Sequence, residues 1–245
     1  MEVIDLKKLY RGKRFSVMGD SISTFEGINP FYYNTFYTAE RKCEADILDP
    51  ADTWWGMIIK VLGGELLVDN AWSGSLVSKL PQCEIESYGA SDARTAFLGD
   101  NGLSPDVIMV YIGTNDWGWN VKVYPSEEEK SDISVFSVAY NEMLSKIKRN
   151  YPEAEVWRYT LCYSDSMLQK NFTLPFAEIT GTIDEYSRAI RACASENACR
   201  LLDLCRNKVG YTTIDDLHPD KNGMKMIADV ALAELTRSFG GITHD

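Results

Sequence analysis

Histidine is scarce in this chain: His218 and His244 are the only two in 245 residues. The six cysteines (Cys43, Cys83, Cys162, Cys193, Cys199, Cys205) include no C-x-x-C pair, so the ligand spacing of a structural zinc site is missing. Buried free thiols are the expectation, with no metal or other cofactor. Long apolar runs are missing too. The opening MEVIDLKKLYRGKRF lacks a signal-length apolar stretch, and no segment approaches the roughly 18 apolar residues of a membrane span. Positive charge is in deficit, with 25 Lys and Arg against 36 Asp and Glu for a net −11. That balance leaves counterion-release binding to nucleic acid, and docking on anionic lipid, without a driving force. The cysteine usage leans towards the cytoplasm, and a trimmed export signal would make a secreted protein equally compatible.

What is present reads as one α/β domain over residues 1–245, a length at which a single core is ordinary. Five short apolar or β-branched runs alternate with helical patterns: Phe15 to Met18, Leu66 to Asp69, Val107 to Ile112, Val156 to Thr160 and Arg200 to Leu204. Runs of that length between amphipathic helices predict a mainly parallel five-stranded sheet covered on both faces. Trp55, Ile58, Ile59 and Leu62 recur at helical spacing, as do Phe136, Tyr140, Met143, Leu144 and Ile147, and Ile183, Tyr186, Ile190 and Cys193. A last helix carries Met224, Ile227, Val230, Ala231 and Leu235, with Asp220 as N-cap after Pro219. Segments 24–52, 80–104, 116–133 and 162–180 show no periodicity, and long loops in compact domains commonly carry function. The aromatic run 31–37, FYYNTFY, either walls a pocket or packs.

In open parallel sheets, ligands bind beyond the carboxyl ends of the strands. Each chemistry-bearing segment here follows a predicted strand: Met18-Gly19-Asp20-Ser21, then Asn70-Ala71-Trp72-Ser73-Gly74, then Gly113-Thr114-Asn115-Asp116, then Asp215-Asp216-Leu217-His218. Ester hydrolysis by a hydroxyl needs a serine beside an imidazole, a carboxylate that orients the imidazole, and donors facing the developing oxyanion. His218 is the candidate base, because His244 lies close to the end of the sequence where chains fray. Taken singly, each segment also reads as plain turn or capping chemistry. Their joint occurrence in this order carries the functional reading.

The sequence resembles the SGNH (GDSL-like) serine esterase and acylhydrolase family in four ordered blocks: Val17 to Ser23, Asn70 to Gly74, Tyr111 to Asp116, and Asp215 to Pro219. The resemblance implies a three-layer α/β/α, flavodoxin-like fold. It also implies Ser21 as nucleophile, His218 as base and then acid, Asp215 orienting His218 with Asp216 as the alternative, and an oxyanion hole from the Ser21 and Gly74 N–H groups and the Asn115 side chain. Trp72 stands where many members carry a small or polar residue; its bulk either shortens the acyl pocket or fills the core. The missing G-x-S-x-G elbow argues against the α/β-hydrolase fold. Tyr32, Tyr33, Trp72, Trp117 and Trp119 are the candidate substrate contacts, since flat faces with polar edges suit a sugar ring; Trp117 and Trp119 could equally pin their loop. The expected partner is a small or carbohydrate ester with a short acyl group. A lysophospholipase or lipase is the alternative within the family, and a flavodoxin-like binding module, with phosphate cradled at Asp20 to Thr24, is the non-enzymatic one.

Overall fold

The computed structural model describes residues 5–81, 83, 86–169, 181–196 and 199–240. Its strands are β1 (Arg14–Gly19), β2 (Glu65–Ala71), β3 (Val107–Tyr111), β4 (Glu155–Tyr159), β5 (Tyr163–Ser164), β6 (Arg200–Leu202) and β7 (Gly210–Tyr211). Five form the central sheet in the order β2-β1-β3-β4-β6, with every neighbouring pair parallel. A second parallel pair, β5 with β7, lies outside it. The helices are α1 (Leu6–Tyr10), α2 (Ala39–Glu44), α3 (Trp54–Leu62), α4 (Asp92–Ala96), α5 (Thr114–Gly118), α6 (Phe136–Asn150), α7 (Asp165–Leu168), α8 (Ile183–Glu196) and α9 (Lys221–Gly240). One layer joins α1, α3 and α9, and the other joins α4, α6 and α8. This is the three-layer arrangement expected, and central β3 is buried along its whole length.

Strand alternation sorts side chains between the layers. Trp157 packs edge-on against Tyr10 and Phe15, at 5.0 and 5.7 Å between ring centroids. Its neighbour Arg158 points the other way, over the ring of Tyr140 on α6. Helix α3 starts at Thr53, whose hydroxyl accepts the Gly56 N–H, and ends at Gly63 in the left-handed region. Asp220 caps α9 by accepting the Gly223 N–H at 2.8 Å. That anchors the chain directly after Pro219, so the segment before it is held at a fixed exit point.

The strand expectations are met to within a residue or two. β6 stops at Leu202, not at Leu204, because Asp203 leaves the ladder to accept hydrogen bonds from Thr160 and Arg191. Segments 24–52 and 80–104 contain the short helices α2 and α4, and 116–133 opens inside α5. Segment 162–180 begins with β5 and α7, and its residues 170–180 lie outside the described ones, as does His244. No disulfide joins any of the six cysteines, but only Cys162, Cys193 and Cys205 are buried; Cys43 is exposed on α2, which has no buried residue to form a core face. Among the described residues, no helix is long and apolar enough to cross a membrane.

Candidate active site

The sheet order reverses around β1, with β2 on one side and β3 on the other, and the crevice at such a reversal is where ligands bind. Ser21 opens a 3₁₀ turn, Ser21–Ser23, directly after β1. Asp20 holds that turn by accepting the Ile22 N–H at 3.1 Å. Burial pushes the Asp20 carboxyl up to about 7, with the nearby Asp116 carboxylate adding to the effect. Ser21 itself is only 6% exposed. Two segments are hydrogen-bonded to this turn.

One of these carries His218. Its Nε2 lies 2.9 Å from Ser21 Oγ, and its Nδ1 lies 2.9 and 3.1 Å from the two carboxylate oxygens of Asp215. Asp215 Oδ1 also accepts the backbone N–H groups of Leu217 and His218. Partial burial alone would raise the Asp215 carboxyl, but these hydrogen bonds and the facing imidazole outweigh it and hold the group below the usual carboxylate range. Asp216 is turned away in the left-handed region and accepts from Ser166. The carboxylate beside His218 is therefore Asp215.

The other segment is the aromatic run. Phe36 stacks face to face on His218, with 3.4 Å between centroids and 13° between planes. Nothing in the spacing of 31–37 singles out Phe36 from its neighbours, so no pattern in the run points to it.

Opposite the imidazole, segment 70–74 makes a tight turn in which Trp72 N–H donates to the Gly19 carbonyl and Ser73 N–H to that of Asn34. Gly74 takes φ +81° with open space where a Cβ would be, a conformation that suits glycine. Asn115, on the first turn of α5, donates one amide hydrogen to the Ser75 carbonyl at 3.0 Å. Its neighbour Asp116 accepts the Val77 and Ser78 N–H groups at 2.7 and 3.1 Å. Burial pushes Asp116 up to about 6 against the pull of these bonds.

Beneath these turns lies a residue that sequence reasoning missed. Arg94 on α4 is fully buried. It donates to the Asn70 side chain and carbonyl at 2.8 Å each, to the Gly19 carbonyl at 3.0 Å, to Ser75 Oγ at 2.7 Å and to the Ser87 carbonyl. One guanidinium thus ties the turn after β1 to the turn after β2. Burial lowers Arg94 to about 10, so it stays charged near neutral pH. A single arginine in a five-residue helix looks like a solvated charge from sequence alone.

The candidate substrate aromatics divide. Tyr33 and Trp72 stack at 4.0 Å and, with Tyr32, Glu86, Ala93 and Phe97, line a cleft of about 460 Å³ at the β2 edge. Trp119 is half exposed just past α5. Trp117 is core and not platform: it is 5% exposed, and its indole N–H donates to the Gly181 carbonyl. A helical position one turn from the Gly113 carbonyl points its ring inward. A larger cleft between α6 and α8 shares no residue with this site.

The chain resembles solved structures over almost all its length. A GDSL-like lipase from Bacteroides ovatus aligns with a TM-score of 0.70 at 22% identity, covering 92% of this chain and 99% of that one. The aryl esterase of M. smegmatis gives 0.62 at 20%, covering 93% and 99%. A carbohydrate esterase of family 2 from Myceliophthora fergusii gives 0.59 at 19%, covering 94% of this chain and 68% of that one. At such identities the likeness is one of fold. No curated protein matches. The family model for GDSL-like lipase/acylhydrolase matches residues 13–235, a span that runs from the start of β1 to within α9, and the chain belongs to that family of esterases and acylhydrolases.

Proposed function

We propose that this protein removes short acyl groups, acetyl above all, from a carbohydrate alcohol through an acyl-enzyme on Ser21. The observation that carries the reading is the unbroken chain from Asp215 through His218 to Ser21, every link at 2.9 to 3.1 Å. With Nδ1 donating to Asp215, Nε2 is the acceptor that takes the Ser21 proton as Oγ attacks the ester carbonyl. The tetrahedral oxyanion would be held by the Ser21 and Gly74 N–H groups and by the second amide hydrogen of Asn115, the first being used on Ser75. Collapse expels the alcohol, which takes the proton back from Nε2. Water then repeats the sequence on the acyl-enzyme: it loses a proton to Nε2, attacks, and frees Ser21 and the carboxylic acid.

The substrate assignment rests on the walls. Tyr32, 70% exposed, stands in a cleft wall with Glu86 and is backed by the stacked, largely buried Tyr33 and Trp72, and an open aromatic ring near a carboxylate suits a sugar ring's alternating apolar and hydroxyl edges. Carbohydrate esterases of family 2 share the fold. The test is a series of p-nitrophenyl esters from acetate to palmitate, run beside sugar peracetates, on the wild type and Ser21→Ala. The expected result is highest kcat/KM on acetate and on acetylated sugars, with all activity lost in Ser21→Ala. A steady rise towards octanoate would replace this reading with a lipase or lysophospholipase, and an active Ser21→Ala would move the nucleophile elsewhere.

A further inference from the structure

We infer that Phe36 is a positioning residue for His218, holding the imidazole in the plane that reaches Ser21 and Asp215 together. The inference rests on the proposed Ser21–His218–Asp215 arrangement and adds a part that the motifs do not contain. Hydrogen bonds at Nδ1 and Nε2 fix two points of the ring but resist poorly its tilt about the line joining them. A ring stacked at 3.4 Å and 13° blocks that tilt from one face. It still allows the small in-plane slide by which Nε2 passes from Ser21 Oγ to the leaving oxygen.

Phe36 is itself referenced to both partners of the site. Its N–H donates to Thr24 Oγ1 at 3.0 Å, and that hydroxyl donates to the carbonyl of Ser21 at 2.9 Å. The next residue, Tyr37, is fully buried and donates its hydroxyl to the Pro219 carbonyl at 2.6 Å. Residues 36 and 37 therefore strap the nucleophile's turn to the base's turn, two segments 197 positions apart. The far side of the Phe36 ring is not left to water alone: the Arg41 guanidinium, paired with Glu44 at 2.8 Å, lies 5.3 Å from its centroid.

The experiment compares Phe36→Leu, which keeps apolar bulk without a flat face, with Phe36→Tyr, which keeps the face. Aromatic pairs of this kind are worth a factor of about three to ten. On p-nitrophenyl acetate, Phe36→Leu should lower kcat by about that factor with KM within about twofold, and Phe36→Tyr should stay within about twofold of wild type in both. The second readout is proton NMR. The chain has two histidines, so His218→Gln identifies one imidazole set by its disappearance. The His218 ring protons should lie upfield in the wild type and Phe36→Tyr, and move downfield in Phe36→Leu. An unchanged kcat in Phe36→Leu, a loss carried by KM, an equal loss in Phe36→Tyr, or His218 protons without an upfield position would each overturn the role. Thr24→Val, which cuts the tie and leaves the ring in place, should give a smaller loss in the same direction; no loss would remove the strap from the argument. If Ser21→Ala remains active, the underlying triad fails; if it is inactive and Phe36→Leu is unaffected, only the positioning role falls.

Discussion

The two halves of the site are built from different materials. On the side of the proposed oxyanion hole, Asp20, Asn70, Arg94 and Asp116 are all essentially inaccessible to solvent, and the turns they hold are continuous with the core. On the base side, the Asp215 side chain is 31% exposed and that of His218 12%. That loop is held at its backbone by the hydroxyls of buried Ser164, Tyr211 and Tyr37, on the Asp216, Leu217 and Pro219 carbonyls, and at the Asp216 carboxylate by Ser166, so that the Asp215 and His218 side chains themselves stay near solvent. Buried polar networks are costly to break because each orphaned group stays desolvated, whereas exposed groups find water. The oxyanion side should therefore couple activity to folding, and the base side should keep them separate.

Asp215→Asn tests that separation most strongly. It should cut kcat by about 10³- to 10⁴-fold, through the wrong imidazole tautomer, while urea unfolding shifts by no more than about 1 kcal/mol, since Asn can still accept the Leu217 and His218 N–H groups. A large stability loss would show that the base loop is tied to the core after all. Arg94→Met is the counterpart: it strips Asn70 Oδ1 of its donor and takes one of two donors from each of the Gly19 and Ser87 carbonyls, which keep Trp72 N–H and the Ser75 hydroxyl, and the loss of these charge-assisted bonds should cost about 3–5 kcal/mol in the same unfolding experiment. A stable but inactive Arg94→Met would break the comparison. Asn115→Ala sharpens it, because the amide is on the oxyanion side yet has little structural work. It should lower kcat by about 10²- to 10³-fold with KM nearly unchanged; an effect confined to KM would make Asn115 a binding residue.

The smallest expected effect is in pH dependence. Asp20 binds its proton more tightly folded than unfolded, because burial raises it from 3.8 to about 7. Its contribution to stability is complete below about pH 4 and is lost as the pH rises through about 7. Asp20→Asn, which keeps an acceptor for Ile22, should therefore gain in Tm on the wild type as pH goes from about 5 to 8. A constant difference across that range would mean that Asp20 does not titrate there.

The sheet was legible because buried parallel strands are compact apolar runs, and Val107 to Tyr111 could hardly be anything else. Of the proposed site, Ser21, Gly74, Asn115, Asp215 and His218 were legible as candidates because each lies in a short local pattern after a strand, and Asp215, not Asp216, is the carboxylate within hydrogen-bond distance of His218. Arg94 and Phe36 were not, since their importance comes largely from distant partners: Ser75, Asn70 and Gly19 lie 19, 24 and 75 positions from Arg94, and His218 stacks on Phe36 from the far end of the chain. Helices of four to six residues, such as α2, α4 and α7, offer too few positions for a period to emerge. The choice between platform and loop pin at Trp117 was not legible for a related reason: its ring direction depends on α5, which is one turn long.

The orienting carboxylate and the imidazole are three residues apart, while the imidazole and the serine hydroxyl are separated by 197. The first pair closes a loop of almost no length and can form wherever residues 212–219 adopt their turn. The second closes most of the fold. During synthesis, the strands β1 to β4 with their helices can be assembled, and Ser21 seated on its turn, long before residue 218 leaves the ribosome. Until then the hydroxyl has no base, so a nascent or prematurely terminated chain would carry the oxyanion half without an armed nucleophile.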